Sequence, residues 1–122
     1  MSSSSATIVL VDDEPLFRSA VARLLGAAGY HVLAAAGPEQ ALSLLSAASA
    51  SISLLISDVN MPRMDGVELA QRATALQPGL RTLFVCGYPS ETLDNIPLGA
   101  HFLEKPFTHE ELLRSVRELI SP

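Results

Sequence analysis

The chain is short of several things, and each shortage closes off a class of protein. It has one cysteine among 122 residues, so it cannot close an internal disulfide, which fits a reducing compartment. It has no excess of positive charge. Eight Lys and Arg stand against thirteen Asp and Glu, for a net charge of −5, which argues against non-specific binding to nucleic acid or anionic membrane. No apolar run approaches the roughly 20 residues needed to span a bilayer. Met1 to Thr7 is serine-rich, with neither a basic n-region nor an apolar h-region, so it does not read as a secretory signal. What remains is a chain with a hydrophobic fraction of 48% and a charged fraction of 17%, neither disordered nor fibrous in composition. The expectation is a disordered leader over 1–6 and one folded unit over 7–121, soluble and cytoplasmic, with proteins or small ligands as partners.

Three short apolar runs read as strands covered on both faces: Ile8 to Val11, Leu54 to Ile56 and Leu83 to Val85. His31 to Ala34 and His101 to Leu103 are weaker strand candidates. Helical patterns lie between them. The first carries Phe17, Val21, Leu24, Leu25 and Ala28, with Pro15 in its first turn and Gly29 at its stop. The second follows Gly37-Pro38 and carries Ala41, Leu42, Leu45 and Ala48. Ser46 to Ser53 reads as its end and a loop. The third starts near Asp65, with Glu68 as a capping-box partner, and is expected to bury Leu69, Ala73 and Leu76. The last has Thr108 and Glu111 as its capping box and turns Leu112, Leu113, Val116, Leu119 and Ile120 inward. Such alternation predicts an α/β fold, a parallel sheet with helices on both faces. One unit is irregular. Between Gly87 and Gly99, Pro89 and Pro97 bracket only Ser90 to Ile96, which leaves a fourth helix of one or two turns at most.

The charged residues are informative by position. Asp12 and Asp13 follow the first strand, Asp58 the third and Lys105 the fifth. In an open parallel sheet, ligands bind beyond the carboxyl ends of the strands, where strand order reverses. Three carboxylates gathered there repel, and a divalent cation relieves the repulsion. Oxygen-only ligands point to Mg2+ or Mn2+ rather than Zn2+. A lysine opposite the metal supplies a second positive charge to an incoming phosphate. Carboxylate nucleophile, metal and lysine are together the parts for phosphoryl transfer to an aspartate.

Three stretches then carry a resemblance: Val9-Leu10-Val11-Asp12-Asp13-Glu14-Pro15, Ser57-Asp58-Val59-Asn60-Met61-Pro62-Arg63-Met64-Asp65-Gly66 and Phe102-Leu103-Glu104-Lys105-Pro106-Phe107. They resemble the signature blocks of CheY-like response-regulator receiver domains, from about Thr7 to Ile120. The resemblance implies a flavodoxin-like, doubly wound five-stranded sheet in the order 2-1-3-4-5. It implies Asp58 as phosphoacceptor and Mg2+ held by Asp13 directly, by Asp12 largely through water, by Asp58 and by the backbone carbonyl of Asn60. Lys105 would pair with the phosphoryl group, and the Lys105-Pro106 bond would be cis. Phe102 stands at the position of the switch aromatic, with an ordinary core role as the alternative. Gly87 would leave space for phosphoryl oxygens.

The chain also departs from that family. Cys86 stands where Ser or Thr usually bonds a phosphoryl oxygen, and a thiol is a weaker donor. That predicts phosphorylation with weakened coupling. The short unit after Cys86 implies an altered partner surface. The Gly87-Tyr88 pair and the Phe-Leu-x-Lys-Pro-Phe-Thr ending are similar to receivers attached to hybrid histidine kinases. The phosphate donor is expected to be a histidine kinase or phosphotransfer protein. Output should pass through contact with a downstream protein target, without direct DNA binding or membrane insertion, and the chain is not expected to be an enzyme in its own right. The alternative is a pseudo-receiver, an interaction module not controlled by phosphorylation. An aspartate-nucleophile phosphatase is disfavoured, because Asp58-Val59-Asn60 lacks the second aspartate. Asp65 reads as a helix cap. His31, His101 and His109 do not cluster, and Gly26-Ala27-Ala28-Gly29 is no dinucleotide loop.

Overall fold

A computed structural model describes residues 6–47, 52–59, 66–86 and 101–120, with Cys86 described by its backbone alone. The elements alternate along the chain: β1 Thr7–Val11, α1 Pro15–Ala27, β2 His31–Ala35, α2 Pro38–Ala47, β3 Leu54–Asp58, α3 Gly66–Leu76, β4 Arg81–Cys86, β5 His101–Glu104 and α4 His109–Ile120. The strands form one parallel sheet in the order β2-β1-β3-β4-β5. This is the flavodoxin-like arrangement that the resemblance implied. β1 has β2 on one side and β3 on the other, so strand order reverses at its carboxyl end.

The pleat divides the core. Successive strand side chains point to opposite faces, so consecutive apolar residues of β1 serve two different layers. Val9 and Val11 pack with α2 and α3 through Ala41, Leu45, Val67, Leu69 and Ala73. Ile8 and Leu10 pack with α1 and α4 through Val21, Leu25, Leu112, Val116 and Leu119. This is why the strands read as unbroken apolar runs. Each buried Val, Leu or Ile stabilises the fold by about 1.5–3 kcal/mol.

The helix ends follow local chemistry. Pro15 opens α1 with no donor to lose, and the Arg18 N–H closes the first turn on the Glu14 carbonyl at 3.0 Å. Gly29 ends α1 at φ 102°, a conformation that side chains with a Cβ resist, and the Tyr30 N–H returns to the Leu25 carbonyl at 3.2 Å. At α4 the capping box forms in both directions. The Glu111 N–H donates to Thr108 Oγ1 at 3.0 Å, and the Thr108 N–H donates to Glu111 Oε1 at 2.8 Å.

Some expectations need correction. Leu76 is not buried: it is 44% exposed at the last position of α3. β3 extends through Asp58 rather than stopping at Ile56, because Asp58 pairs in register with Val85. The Ala6 carbonyl accepts the His31 N–H at 2.9 Å. The rest of the leader, the irregular unit 87–100, and Ala48, Asn60, Asp65 and Gly87 lie outside the described residues.

Candidate functional site

β1, β3 and β5 enter the sheet in one direction, so their carboxyl ends deliver Asp12, Asp58 and Lys105 to one place. Lys105 Nζ lies 3.2 Å from Asp58 Oδ2 and 3.8 Å from Asp12 Oδ2. An open pocket of about 260 Å3 is lined by Asp12, Asp13, Glu14, Pro15, Asp58 and Lys105. Asp58 and Lys105 are half-buried, Asp12 is buried, and Asp13 stands exposed.

Asp12 is held tightly. Its Oδ1 accepts the Glu14 N–H at 2.8 Å, a local turn bond that aspartate makes readily. Its carbonyl accepts from the Arg18 guanidinium at 2.7 Å, and its N–H donates to the Ala35 carbonyl at 3.2 Å. Burial raises the Asp12 carboxyl above its usual value. The Glu14 N–H and Lys105 oppose that rise, while the negative charges of Asp58 and Asp13 add to it. The carboxylates therefore repel as expected, and positive charge in the pocket is favoured.

The backbone beneath Asp58 is equally constrained. The Ser57 hydroxyl, fully buried, donates to the Asp58 carbonyl at 2.9 Å. The Gly66 N–H donates to the Val59 carbonyl at 2.8 Å, which brings the start of α3 against the end of β3. A Cβ on Gly66 would collide with the Asp58 carbonyl oxygen and lie 3.0 Å from the Val59 Cα. Only glycine permits this approach.

Lys105 has a seat that was not foreseen from the sequence. Its ammonium lies 4.2 Å from the centroid of the Phe17 ring. Phe17 in turn meets Phe107 edge-on, with centroids 5.8 Å apart and planes at 74°. The spacing of Phe17 along α1 marked it as a core residue. Its nearness to Lys105 depends on how α1 and the β5–α4 turn pack, which no local signal encodes. The Lys105-Pro106 bond is cis.

The expected site residues therefore divide. Asp12, Asp58 and Lys105 come together, and Asp13 lines the same pocket. Cys86 ends β4, one register step beyond the Val85 that pairs with Asp58, and opposite Glu104. Phe102 is not core: it is 41% exposed and stacks on buried Phe84 with centroids 5.5 Å apart. Among the described residues, no three Asp, Glu, His or Cys side chains gather closely enough to hold a metal ion by themselves. The oxygen donors and the repulsion felt by Asp12 nevertheless suit a hard divalent cation, which takes water and carbonyl ligands alongside carboxylates.

A parallel sheet in this order, with an acid pair at the end of β1, an aspartate ending β3 and a lysine after β5, defines a CheY-like domain. The sequence pattern of the response regulator receiver domain matches residues 8–117, and the chain belongs to that family. It is 36% identical over 121 residues to the sensor kinase CckA of Brucella abortus (strain 2308), covering 97% of this chain but 13% of that protein. It is 34% identical over 116 residues to the response regulator receiver protein CpdR of the same organism, covering 93% of this chain and 95% of that one. Among solved structures, the receiver domain of the hybrid histidine kinase CckA matches with a TM-score of 0.83 and 39% identity, over 95% of this chain and 100% of that one. The response regulator TrrA of Thermotoga maritima, in complex with Mg2+ and BeF, matches with a TM-score of 0.81 and 28% identity, over 93% of this chain and 98% of that one.

Proposed function

We propose that the chain is the phosphoacceptor of a two-component phosphorelay, phosphorylated on Asp58 by a histidine kinase or phosphotransfer protein. The observation that carries this is the placement of Lys105 Nζ within 4 Å of both Asp58 and Asp12 at the carboxyl end of the sheet. Asp58 presents a partly exposed carboxylate oxygen at an open pocket. That oxygen forms a bond to phosphorus as the P–N bond to the donor imidazole breaks, and the electron pair of that bond leaves with the imidazole. Lys105 supplies positive charge beside the acceptor oxygen. Asp12, Asp13 and Asp58, with the Asn60 carbonyl, would hold Mg2+. Bound there, Mg2+ would supply positive charge that offsets the carboxylates and the incoming phosphate.

The product is an acyl phosphate on the chain, so the domain is a carrier of signal rather than an enzyme acting on a separate substrate. Output would pass to a downstream protein, with Phe102 as the aromatic that moves inward. No helix among the described residues is long and apolar enough to cross a membrane, and we place the domain in the cytoplasm, where kinase and receiver meet. Incubation with acetyl phosphate and Mg2+, followed by intact mass, tests the proposal. A single phosphoryl adduct that is lost in Asp58→Asn supports it. No adduct on the native chain replaces it with the pseudo-receiver alternative, which the thiol at Cys86 favours.

A further inference from the structure

We infer that Phe17 is a positioning residue for Lys105. Its ring is the seat that keeps the ammonium facing Asp58. The inference rests on the phosphoacceptor role proposed above and adds to it a residue outside the acid pocket. Lys105 carries its charge on a flexible four-carbon stem, and its side chain is 25% exposed. Left to water and two carboxylates, such a charge samples many rotamers. Three contacts restrict it here: Asp58 Oδ2 at 3.2 Å, Asp12 Oδ2 at 3.8 Å and the Phe17 ring centroid at 4.2 Å. The two carboxylates are the groups whose charge changes when a phosphoryl group or a cation arrives. The π face of Phe17 is the one contact of the three that does not change. It attracts the ammonium through the ring quadrupole.

The seat is itself anchored. Phe17 meets Phe107 edge-on, a favoured aromatic geometry. Both rings pack against the apolar layer between the sheet and α1 and α4. Phe17 sits one turn after Asp13 on α1, and Phe107 lies two residues after Lys105. The pair thus ties the loop that bears the lysine to the helix that follows the acid pair. A phosphoryl group forming on Asp58 then meets a charge already in place.

The test uses the whole chain with Phe17→Leu, which keeps apolar volume and removes the π face, and Phe17→Tyr, which restores the face. The first readout is the NMR shift of the Lys105 ε-CH2 protons, which a ring lying 4.2 Å from the adjoining Nζ moves upfield. The second is the rate of labelling by acetyl phosphate. The expected result is an upfield shift in the native chain and in Phe17→Tyr, and its loss in Phe17→Leu. Labelling by Phe17→Leu should be about two- to fivefold slower, the span of a cation–π contact at a partly exposed site, with Phe17→Tyr near the native rate. An ordinary ε-CH2 shift in the native chain overturns the inference. So does an unchanged labelling rate in Phe17→Leu, or a Phe17→Tyr that is as slow as Phe17→Leu. Should Phe17→Leu fail to fold, Phe107→Leu takes its place, with a weakened shift and slower labelling expected. Absence of any labelling in the native chain sinks the phosphoacceptor role and the kinetic half of this inference, while the shift still decides whether Phe17 holds Lys105.

Discussion

Val11 and Asp12 are consecutive residues with nearly the same exposure, 0% and 2%. Burial of Val11 between β2 and β3 is favourable by roughly 1.5–3 kcal/mol. Burial of Asp12 is unfavourable, and the structure offsets it with the Glu14 N–H and the nearby Lys105. The same contrast recurs on β3, where Leu54, Leu55 and Ile56 are wholly apolar and buried, and Ser57 and Asp58 are polar. The interior of the sheet supplies stability. Its carboxyl end uses some of that stability to hold charges close together. Stability and chemistry should therefore be separable by position along a single strand.

The sharpest break of that contrast is Asp58→Asn. It keeps the shape and removes the proposed nucleophile, so labelling by acetyl phosphate should vanish. The lost partly exposed ion pair with Lys105 should cost no more than about 1 kcal/mol, read as a small change in urea midpoint. A large loss of stability here would mean that the site helps to hold the fold. The converse change is Leu55→Ala, one pleat repeat from Ser57. It should destabilise by about 2–5 kcal/mol in urea unfolding, while the molecules that remain folded label at the native rate.

Asp12→Asn probes the boundary itself. Because burial raises the folded-state carboxyl above its unfolded value, the native state holds this proton more firmly than the unfolded chain does. The stability linked to the proton is fully present below the unfolded pKa and is lost as pH rises through the folded one. At neutral pH the ionised group is therefore a burden. Asp12→Asn should raise the urea midpoint there, and the gain should shrink as pH falls and native Asp12 takes up its proton. A gain that grows in acid would overturn the sign. The smallest effect is expected at Cys86→Thr. A hydroxyl at the end of β4 should enlarge the shift of β4 and β5 on beryllofluoride addition, read by NMR, with stability nearly unchanged. Equal responses from the two chains would show that the thiol couples as well as the hydroxyl.

Much of the fold was legible because a parallel sheet buried on both faces leaves a coarse signal. Three of the five strands contain unbroken apolar runs of three or four residues, and the α4 capping box forms as its Thr-x-x-Glu spacing implies. The errors fall at element ends. Leu76 has the right helical spacing for burial, yet it is the last residue of α3 and stands exposed. Asp58 reads as a residue after the strand because it is charged, while its backbone continues the ladder to Val85. For Phe102 the sequence left the switch position and an ordinary core role side by side, and its 41% exposure on β5 speaks against the core role.

The order of apolar and charged residues by itself determined the α/β class, the positions of the acidic residues and lysine at strand ends, and the chemistry that such a set can perform. Those properties follow from periodicity and side-chain type, which are local. Tertiary structure decided that Lys105 lies nearer Asp58 than Asp12, that Gly66 must lack a Cβ beneath the Asp58 backbone, and that Phe17 and Phe107 form the seat of the lysine. Each of these is a distance between residues far apart in the chain or on different elements. Such distances are set by how helices pack on a sheet, and packing depends on the summed shape of many side chains rather than on any one of them.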